Sequence, residues 1–166
     1  MEQTVQEILN IVHIKKPVFD YMMNSTPENL KEWYTNFMIR LSEGGKAPMP
    51  LMDVQVISVG DNKVQNMVAS DLYPRYEDKD GKIWIPLFTD RAEIGEEYKD
   101  RKIVEVPISD IIKAAYINKS INGVLINPKK FDFPLYRETL EAMIVEAKSY
   151  GEDWGTALDA TTGNGF

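Results

Sequence analysis

Polar side chains able to hydrogen-bond a ligand follow two apolar stretches of this chain. Thr89 and Asp90 come directly after residues 83–88, and Asn127 comes directly after residues 124–126. Where such stretches are neighbouring parallel strands, the residues that follow them lie beside the crevice in which α/β proteins bind ligands. With the aromatic residues of the first stretch included, the candidate ligand-binding residues are Trp84, Phe88, Thr89, Asp90 and Asn127. Arg91 could join them.

In the competing interpretation, these polar residues hydrogen-bond only to the backbone near them and bind no ligand. Thr89 or Asp90 can cap a helix, and Asp90 and Glu93 have the spacing of a capping box. Asn127 precedes Pro128 and can bond the backbone of its own turn.

Most other catalytic chemistry is excluded by residues that the chain lacks. There is no cysteine, so no disulfide, thiolate metal site or cysteine nucleophile can form. His13 is the single histidine, and its neighbours Ile11, Val12 and Ile14 favour a structural or merely exposed position. Neither GxGxxG nor GxxxxGK(S/T) occurs, so the common phosphate cradles are missing. We therefore expect no catalytic residue, no metal and no cofactor.

Composition and charge indicate a globular protein that does not bind nucleic acid. The 166 residues suffice for one domain, and 43% hydrophobic with 27% charged residues is typical of a packed core. The net charge of -7 opposes contact with phosphate, because such binding requires Lys and Arg to displace counterions. The N-terminus does not resemble a signal peptide, and no run of about 18 apolar residues could span a membrane. We expect a cytoplasmic protein with no membrane partner.

Two helices are predicted before the first strand. The first covers residues 3–14 and ends near Pro17, and we expect it to pack on the body of the fold through one apolar stripe: Val5, Ile8, Leu9 and Val12. The second is capped by Thr26, has Pro27 at its first position and ends at Gly44.

The remaining elements are arranged around a middle strand at residues 82–88, where Pro86 predicts a bulge or a local edge. Alternating apolar residues predict a hairpin over residues 52–70. Strands at 103–106 and 124–127 alternate with helices over 90–99 and from Ser109, and a last helix begins at Pro134. Two strands joined by such a helix are most simply parallel. The predicted fold is α+β: a mixed five-stranded sheet, formed by the hairpin and then β-α-β-α-β crossovers, packed with helices in a single domain.

Composition also suggests three parts of the chain. Residues 1–25 form the N-terminal helix and a linker, residues 26–150 form the α/β domain, and residues 151–166 form an acidic tail. The tail has four glycines, three acids and no Lys or Arg, which is typical of a flexible terminus. Trp154 could fold back on the domain, or Trp154, Leu158 and Phe166 could anchor the tail in a partner.

Two motifs resemble the SseB N-terminal domain family of bacteria. Residues 84–90 (Trp-Ile-Pro-Leu-Phe-Thr-Asp) are similar to its strand-to-helix corner, and residues 123–128 (Gly-Val-Leu-Ile-Asn-Pro) are similar to its later strand end. The likeness spans about residues 28–147. It implies an α/β domain of this size in a bacterial protein. Because the family has no agreed biochemical activity, the resemblance implies no particular reaction.

Two functions are compatible with these observations. The first is a non-enzymatic cytoplasmic interaction module that binds an unidentified protein partner or itself, with Tyr73, Tyr76 and Trp84 as possible aromatic anchors. The alternative is a small-ligand-binding protein or an enzyme whose site lies at the C-terminal ends of the strands. A third interpretation makes the acidic tail a peptide ligand for a basic partner.

Overall fold

The chain begins with one helix that is longer than predicted. A computed structural model describes residues 2–52 and 72–149. In it α1 (Val5–Asn10), a π-helical turn (Ile11–Lys15) and α2 (Lys16–Met23) follow one another without a break. The predicted end near Pro17 is wrong. Proline lacks a backbone donor and crowds the preceding turn of a regular helix. The wider π turn, closed by a bond from the Lys16 N–H to the Ile11 carbonyl, accommodates it.

This N-terminal helix, residues 5–23, presents a polar face to the body of the protein along its first part. Thr4 caps it through a capping box with Glu7, and both Glu7 and Asn10 are buried. Val5, Ile8 and Val12 are exposed instead. The prediction that this stripe packs on the body is therefore wrong. Farther along, Ile14 and Val18 do enter the core.

The second helix agrees with its sequence signals. In α3 (Pro27–Ser42) the Thr26 side chain accepts a hydrogen bond from the Asn29 N–H, which confirms the predicted cap. Gly44 has a φ of +71°, a left-handed conformation that glycine adopts without strain, and the helix ends just before it. The buried side of α3 packs into the core through Trp33, Phe37, Met38 and Leu41.

The described strands form two sheets and not one five-stranded sheet. In the first, β1 (Lys46–Pro50) pairs antiparallel with β4 (Ile103–Pro107). The second has the order β2 (Tyr76–Glu77), β3 (Ile83–Leu87), β5 (Gly123–Ile126), β6 (Phe133–Tyr136). Here β3 and β5 are parallel, and the two outer strands are antiparallel to their neighbours. The fold is thus α+β, with β3 as an inner strand, as predicted.

Pro86 lies at a local edge within this inner strand. The short strand β2 reaches only Ile83 and Trp84, so nothing in β2 faces Pro86 on that side. On the other side Pro86 is opposite Leu125 of β5. A proline can occupy such a position because no ladder partner requires its missing N–H.

Three further predictions differ from the structure. Strand β4 precedes α4 (Ile108–Ile117) as expected, but it pairs with β1, and β5 runs parallel to β3 instead. Residues 90–99 form two short 3₁₀ turns, Arg91–Glu93 and Glu96–Tyr98, because Gly95 interrupts the segment and Asp90 makes no side-chain cap. Pro134 lies in the outer strand β6, where its missing donor costs little, and α5 begins after it (Arg137–Ser149).

One core joins these elements. Apolar side chains of α3, α4 and α5 pack with those of the strands in a single buried cluster that runs from Ile14 to Ala147. Among the described helices, none is both long and apolar enough to cross a membrane. Apart from Met52, the predicted hairpin over residues 52–70 lies outside the described residues, as does the tail over residues 151–166.

Candidate functional site

The two parallel strands bring the predicted polar residues together. Leu87 is opposite Ile126, and the Asn127 N–H donates to the Leu87 carbonyl at 2.9 Å. The chain then turns sharply at Asn127, whose φ of +46° is one that asparagine tolerates better than most residues. Thr89 and Asp90 follow β3 at the same edge of the sheet. The convergence expected from the strand ends is therefore present.

Thr89, Asp90 and Asn127 form one hydrogen-bonded group. Asn127 Oδ1 accepts from the Thr89 N–H at 3.1 Å, and Asn127 Nδ2 donates to Thr89 Oγ1 at 3.1 Å. The Thr89 hydroxyl in turn donates to Asp90 Oδ1 at 2.6 Å. All three residues are at most 1% exposed. Their polar atoms are thus engaged with one another and shielded from solvent.

The N-terminal helix covers this group and bonds to it. Asn10 Nδ2 donates to the carbonyls of Thr89 (3.1 Å) and Lys46 (2.8 Å). Lys15 Nζ lies 3.2 Å from Asp90 Oδ1 and 2.9 Å from Glu93 Oε1. Burial alone would lower the pKa of Lys15, but its bonds to these two carboxylates raise the pKa above its usual value. The helix therefore occupies the position that a ligand of the strand ends would take.

Glu7 joins the same helix to the residue after Asp90. Its carboxylate accepts from the Arg91 N–H at 2.7 Å and from the Arg91 guanidinium at 2.9 and 3.2 Å. It also accepts from the Thr4 N–H at 2.9 Å. Burial by itself raises the pKa of Glu7, but these donors outweigh it and lower the pKa to about 2. Glu7 is thus ionised at neutral pH, and the Arg91 guanidinium bonds Glu7 and the Glu2 carbonyl.

A buried arginine completes the polar network. Arg40 Nε donates to Asn10 Oδ1 at 2.9 Å, and one terminal nitrogen donates to Gln6 Oε1 at 2.7 Å. Its other terminal nitrogen pairs with Glu43 at 3.3 Å. Because Asn10 bonds both Arg40 and Thr89, α3, the N-terminal helix and the end of β3 are linked through one amide.

The chemistry open to this arrangement is limited by its burial. A hydroxyl bonded to a carboxylate, as in the Thr89 and Asp90 pair, is the kind of contact that activates a nucleophile. A substrate could reach Thr89 only if the N-terminal helix moved. Within the described residues, no three His, Asp or Glu side chains lie close enough together to hold a metal ion.

The two predicted aromatic members lie elsewhere. Trp84 is opposite Gly123, at the far end of β3 from Thr89, and its indole N–H donates to Asp78 Oδ2 at 2.9 Å. Phe88 is buried in an edge contact with Tyr98. Trp84 and Tyr73 are both buried, so neither can anchor a partner on the surface. Tyr76 is half-buried.

The sequence did not point to the helix residues of the network. Gln6, Glu7, Asn10 and Lys15 have no recognisable motif except the capping box from Thr4 to Glu7. The spacing of Glu7, Asn10 and Ile14 is that of one helical face. This spacing alone could have indicated that these three residues face the core. The other side of the helix is more apolar, however, and the hydrophobic pattern therefore favours burial of that side.

The N-terminal helix has further exposed apolar residues beyond the stripe of Val5, Ile8 and Val12. Six large apolar side chains of the N-terminal helix, here called the helix surface, are each more than 40% exposed: Val5, Ile8, Val12, Phe19, Met22 and Met23. Exposed single apolar residues are ordinary, but several on one element indicate an interaction site.

Comparison with protein-family models, with curated proteins and with solved structures finds no match for this chain.

Proposed function

We propose that this protein is a non-enzymatic protein-interaction module and that it binds its partner through the helix surface. The observation that carries the proposal is the reversed orientation of the helix: Glu7 and Asn10 are buried, whereas Val5, Ile8 and Val12 are exposed. An amphipathic helix on a globular protein normally buries its apolar side. A partner that covers this surface would restore that arrangement.

We also propose a protein family and a cellular compartment for this chain. The corner at residues 84–90 and the strand end at residues 123–128 support membership of an SseB-like family of bacteria. The absence of cysteine fits a reducing compartment and supports a cytoplasmic location.

The test replaces the exposed apolar residues without disturbing the fold. Val5→Gln, Ile8→Gln and Val12→Gln are combined, because glutamine favours helix and the three positions are exposed. The control is Val145→Gln, an equally exposed position on α5. We expect the triple variant to lose binding to a purified partner protein, or to lose self-association. The Val145→Gln control should retain that binding or self-association. Equal binding by both proteins, with unchanged circular dichroism, would contradict the proposal.

One observation favours the alternative of a small-ligand site. Thr89, Asp90 and Asn127 do converge at the strand ends, where Thr89 is within hydrogen-bond distance of both Asp90 and Asn127. Such a site requires the N-terminal helix to move aside. A ligand that raises the melting temperature of the parent protein, but not of an Asp90→Asn variant, would support this alternative.

A further inference from the structure

The first part of the helix surface is a narrow apolar stripe with its own geometry. Val5, Ile8 and Val12 are spaced i, i+3 and i+7, so they lie along one side of the helix. They are 70%, 47% and 51% exposed. The opposite side is fixed to the body by Glu7 and Asn10. This stripe is therefore held outward by bonds that do not involve it.

Charges of opposite sign flank the stripe. Glu2 is exposed and precedes the first turn, whereas Lys16 follows the last stripe residue and its side chain is 73% exposed. Lys16 has a surface ion pair with Asp20 at 3.5 Å, a type of contact that contributes little and exchanges easily. The midpoint of the stripe lies next to Ile8, and in sequence Glu2 precedes Ile8 by six residues and Lys16 follows it by eight.

We propose that the partner is a second copy of this chain, bound by antiparallel pairing of the two N-terminal helices about a two-fold axis next to Ile8. This inference rests on the proposed function and names its partner. Two-fold interfaces are the commonest in homo-oligomers and place a surface against itself. Antiparallel pairing sets Val5 against Val12 of the partner subunit, and Glu2 close to Lys16 of the partner subunit.

The charges decide the direction of pairing. Parallel helices would place Glu2 against Glu2 of the partner subunit and Lys16 against Lys16 of the partner subunit. Like charges at such distances repel, and aligned helix dipoles repel as well. In an antiparallel pair, each Glu2 lies close to Lys16 of the partner subunit and the helix dipoles point in opposite directions. Both interactions are then attractive.

The contact is small, so the dimer is weak. Three aliphatic residues from each copy bury far less than the roughly 1,200 Å² at which stable specific interfaces begin. We expect association that depends on protein concentration and on ionic strength, since screening weakens exposed charge pairs.

Disulfide trapping tests this geometry directly, because the chain has no cysteine of its own. Single cysteines are introduced at Ile8, Val5 or Val12 of the full chain, with Val145→Cys as an equally exposed control. Under mild oxidation Ile8→Cys should form a dimer readily, since a disulfide needs Cα atoms within about 7 Å. Val5→Cys and Val12→Cys should each trap poorly alone and well when mixed.

Charge exchange provides a second measurement. By sedimentation equilibrium, Glu2→Lys and Lys16→Glu should each weaken the dimer about two- to fivefold, and the double exchange should restore it. If Val5→Cys and Val12→Cys each trap at least as efficiently alone as when mixed, the pairing is not antiparallel and the inference is overturned. Trapping of Val145→Cys equal to that of Ile8→Cys would also overturn it.

Failure of this inference can be told apart from failure of the proposed function. If Ile8→Cys gives no dimer but the triple glutamine variant still loses a different protein, the helix surface binds that protein and only the self-pairing is wrong. If neither effect is seen, both proposals are wrong.

Discussion

Asn127 bonds Thr89 through both atoms of its amide, with Oδ1 accepting from the backbone N–H and Nδ2 donating to the hydroxyl, each at 3.1 Å. This pairing ties the end of β5 to the residue that follows β3. The backbone carbonyl of Asn127 also accepts hydrogen bonds from the N–H groups of three residues in the following loop: Lys130, Phe131 and Asp132. Asn127 thus organises both the strand end and the loop after it.

Replacing Asn127 with aspartate should destabilise the protein, because the donor to Thr89 is lost and a second carboxylate is placed close to Asp90. We expect a loss of about 2–4 kcal/mol in the free energy of unfolding, measured by urea denaturation. Asn118→Asp is a suitable comparison, because its side chain bonds only the exposed Ser120. An equal effect at both positions would show that the buried amide has no special role.

Glu7 should make the protein sensitive to acid. Its pKa of about 2 lies below the ordinary value of 4.5, so the unfolded chain binds the proton more tightly. The stabilisation is therefore complete above about pH 4.5 and is lost as the pH falls towards 2, and it amounts to roughly 3 kcal/mol.

The measurement for Glu7 is the free energy of unfolding between pH 2 and 7. Glu7→Gln should be less stable at pH 7 and lose less stability on acidification than the parent protein. Asp20→Asn, which alters only an exposed pair with Lys16, should follow the parent curve. If the free energy of unfolding falls equally with pH in the parent protein and in Glu7→Gln, the acid sensitivity does not come from Glu7.

Gly123 should not tolerate a side chain. A Cβ at this position would lie 2.0 Å from the Leu135 carbonyl oxygen and 3.1 Å from the Trp84 ring. Because the obstacle is the backbone of the paired strand β6, Gly123→Ala should lower stability by about 3 kcal/mol or more, or prevent folding. Gly81→Ala, in an open turn with a φ of +80°, should cost only about 1 kcal/mol. Comparable melting temperatures for the two variants would be unexpected.

Trp84 and Trp33, both buried, should respond differently to removal of the indole N–H. Trp84 donates to Asp78, whereas Trp33 Nε1 is buried without a hydrogen-bond partner. We expect Trp84→Phe to cost about 1 kcal/mol more than Trp33→Phe, because only the first change breaks a hydrogen bond. Chemical denaturation of both variants gives the difference, and a larger loss for Trp33→Phe would refute the assignment.

Local signals predicted some elements well. Thr26 and Pro27 identified the start of α3, and the apolar run around Trp84 identified the inner strand β3. The convergence of Thr89, Asp90 and Asn127 followed from the placement of all three residues after parallel strands. The first two features depend on neighbouring residues or on the sequence period alone, and the third needs in addition only the parallel pairing of two strands.

Long-range partners explain what could not be predicted. Glu7 and Asn10 are buried because Arg91 and Thr89, 84 and 79 residues away, supply their hydrogen bonds. When those partners are unknown, the sequence predicts that the more apolar side of the helix, with Val5, Ile8 and Val12, packs into the core. Pro134 is compatible with both a helix start and an outer strand, so only the pairing of β6 with β5 decides between them.

The π turn at Ile11–Lys15 has a consequence for the helix as a whole. A turn with more residues than an α-helical turn shifts the angular phase of everything that follows, as a one-residue insertion would. Glu7 and Asn10 before the turn, and Pro17 and Val18 after it, are all buried, so both parts of the continuous helix contact the body of the protein. Deleting one residue within the turn should therefore convert it into a regular α-helical turn, and the parts of the helix before and after it should keep their contacts.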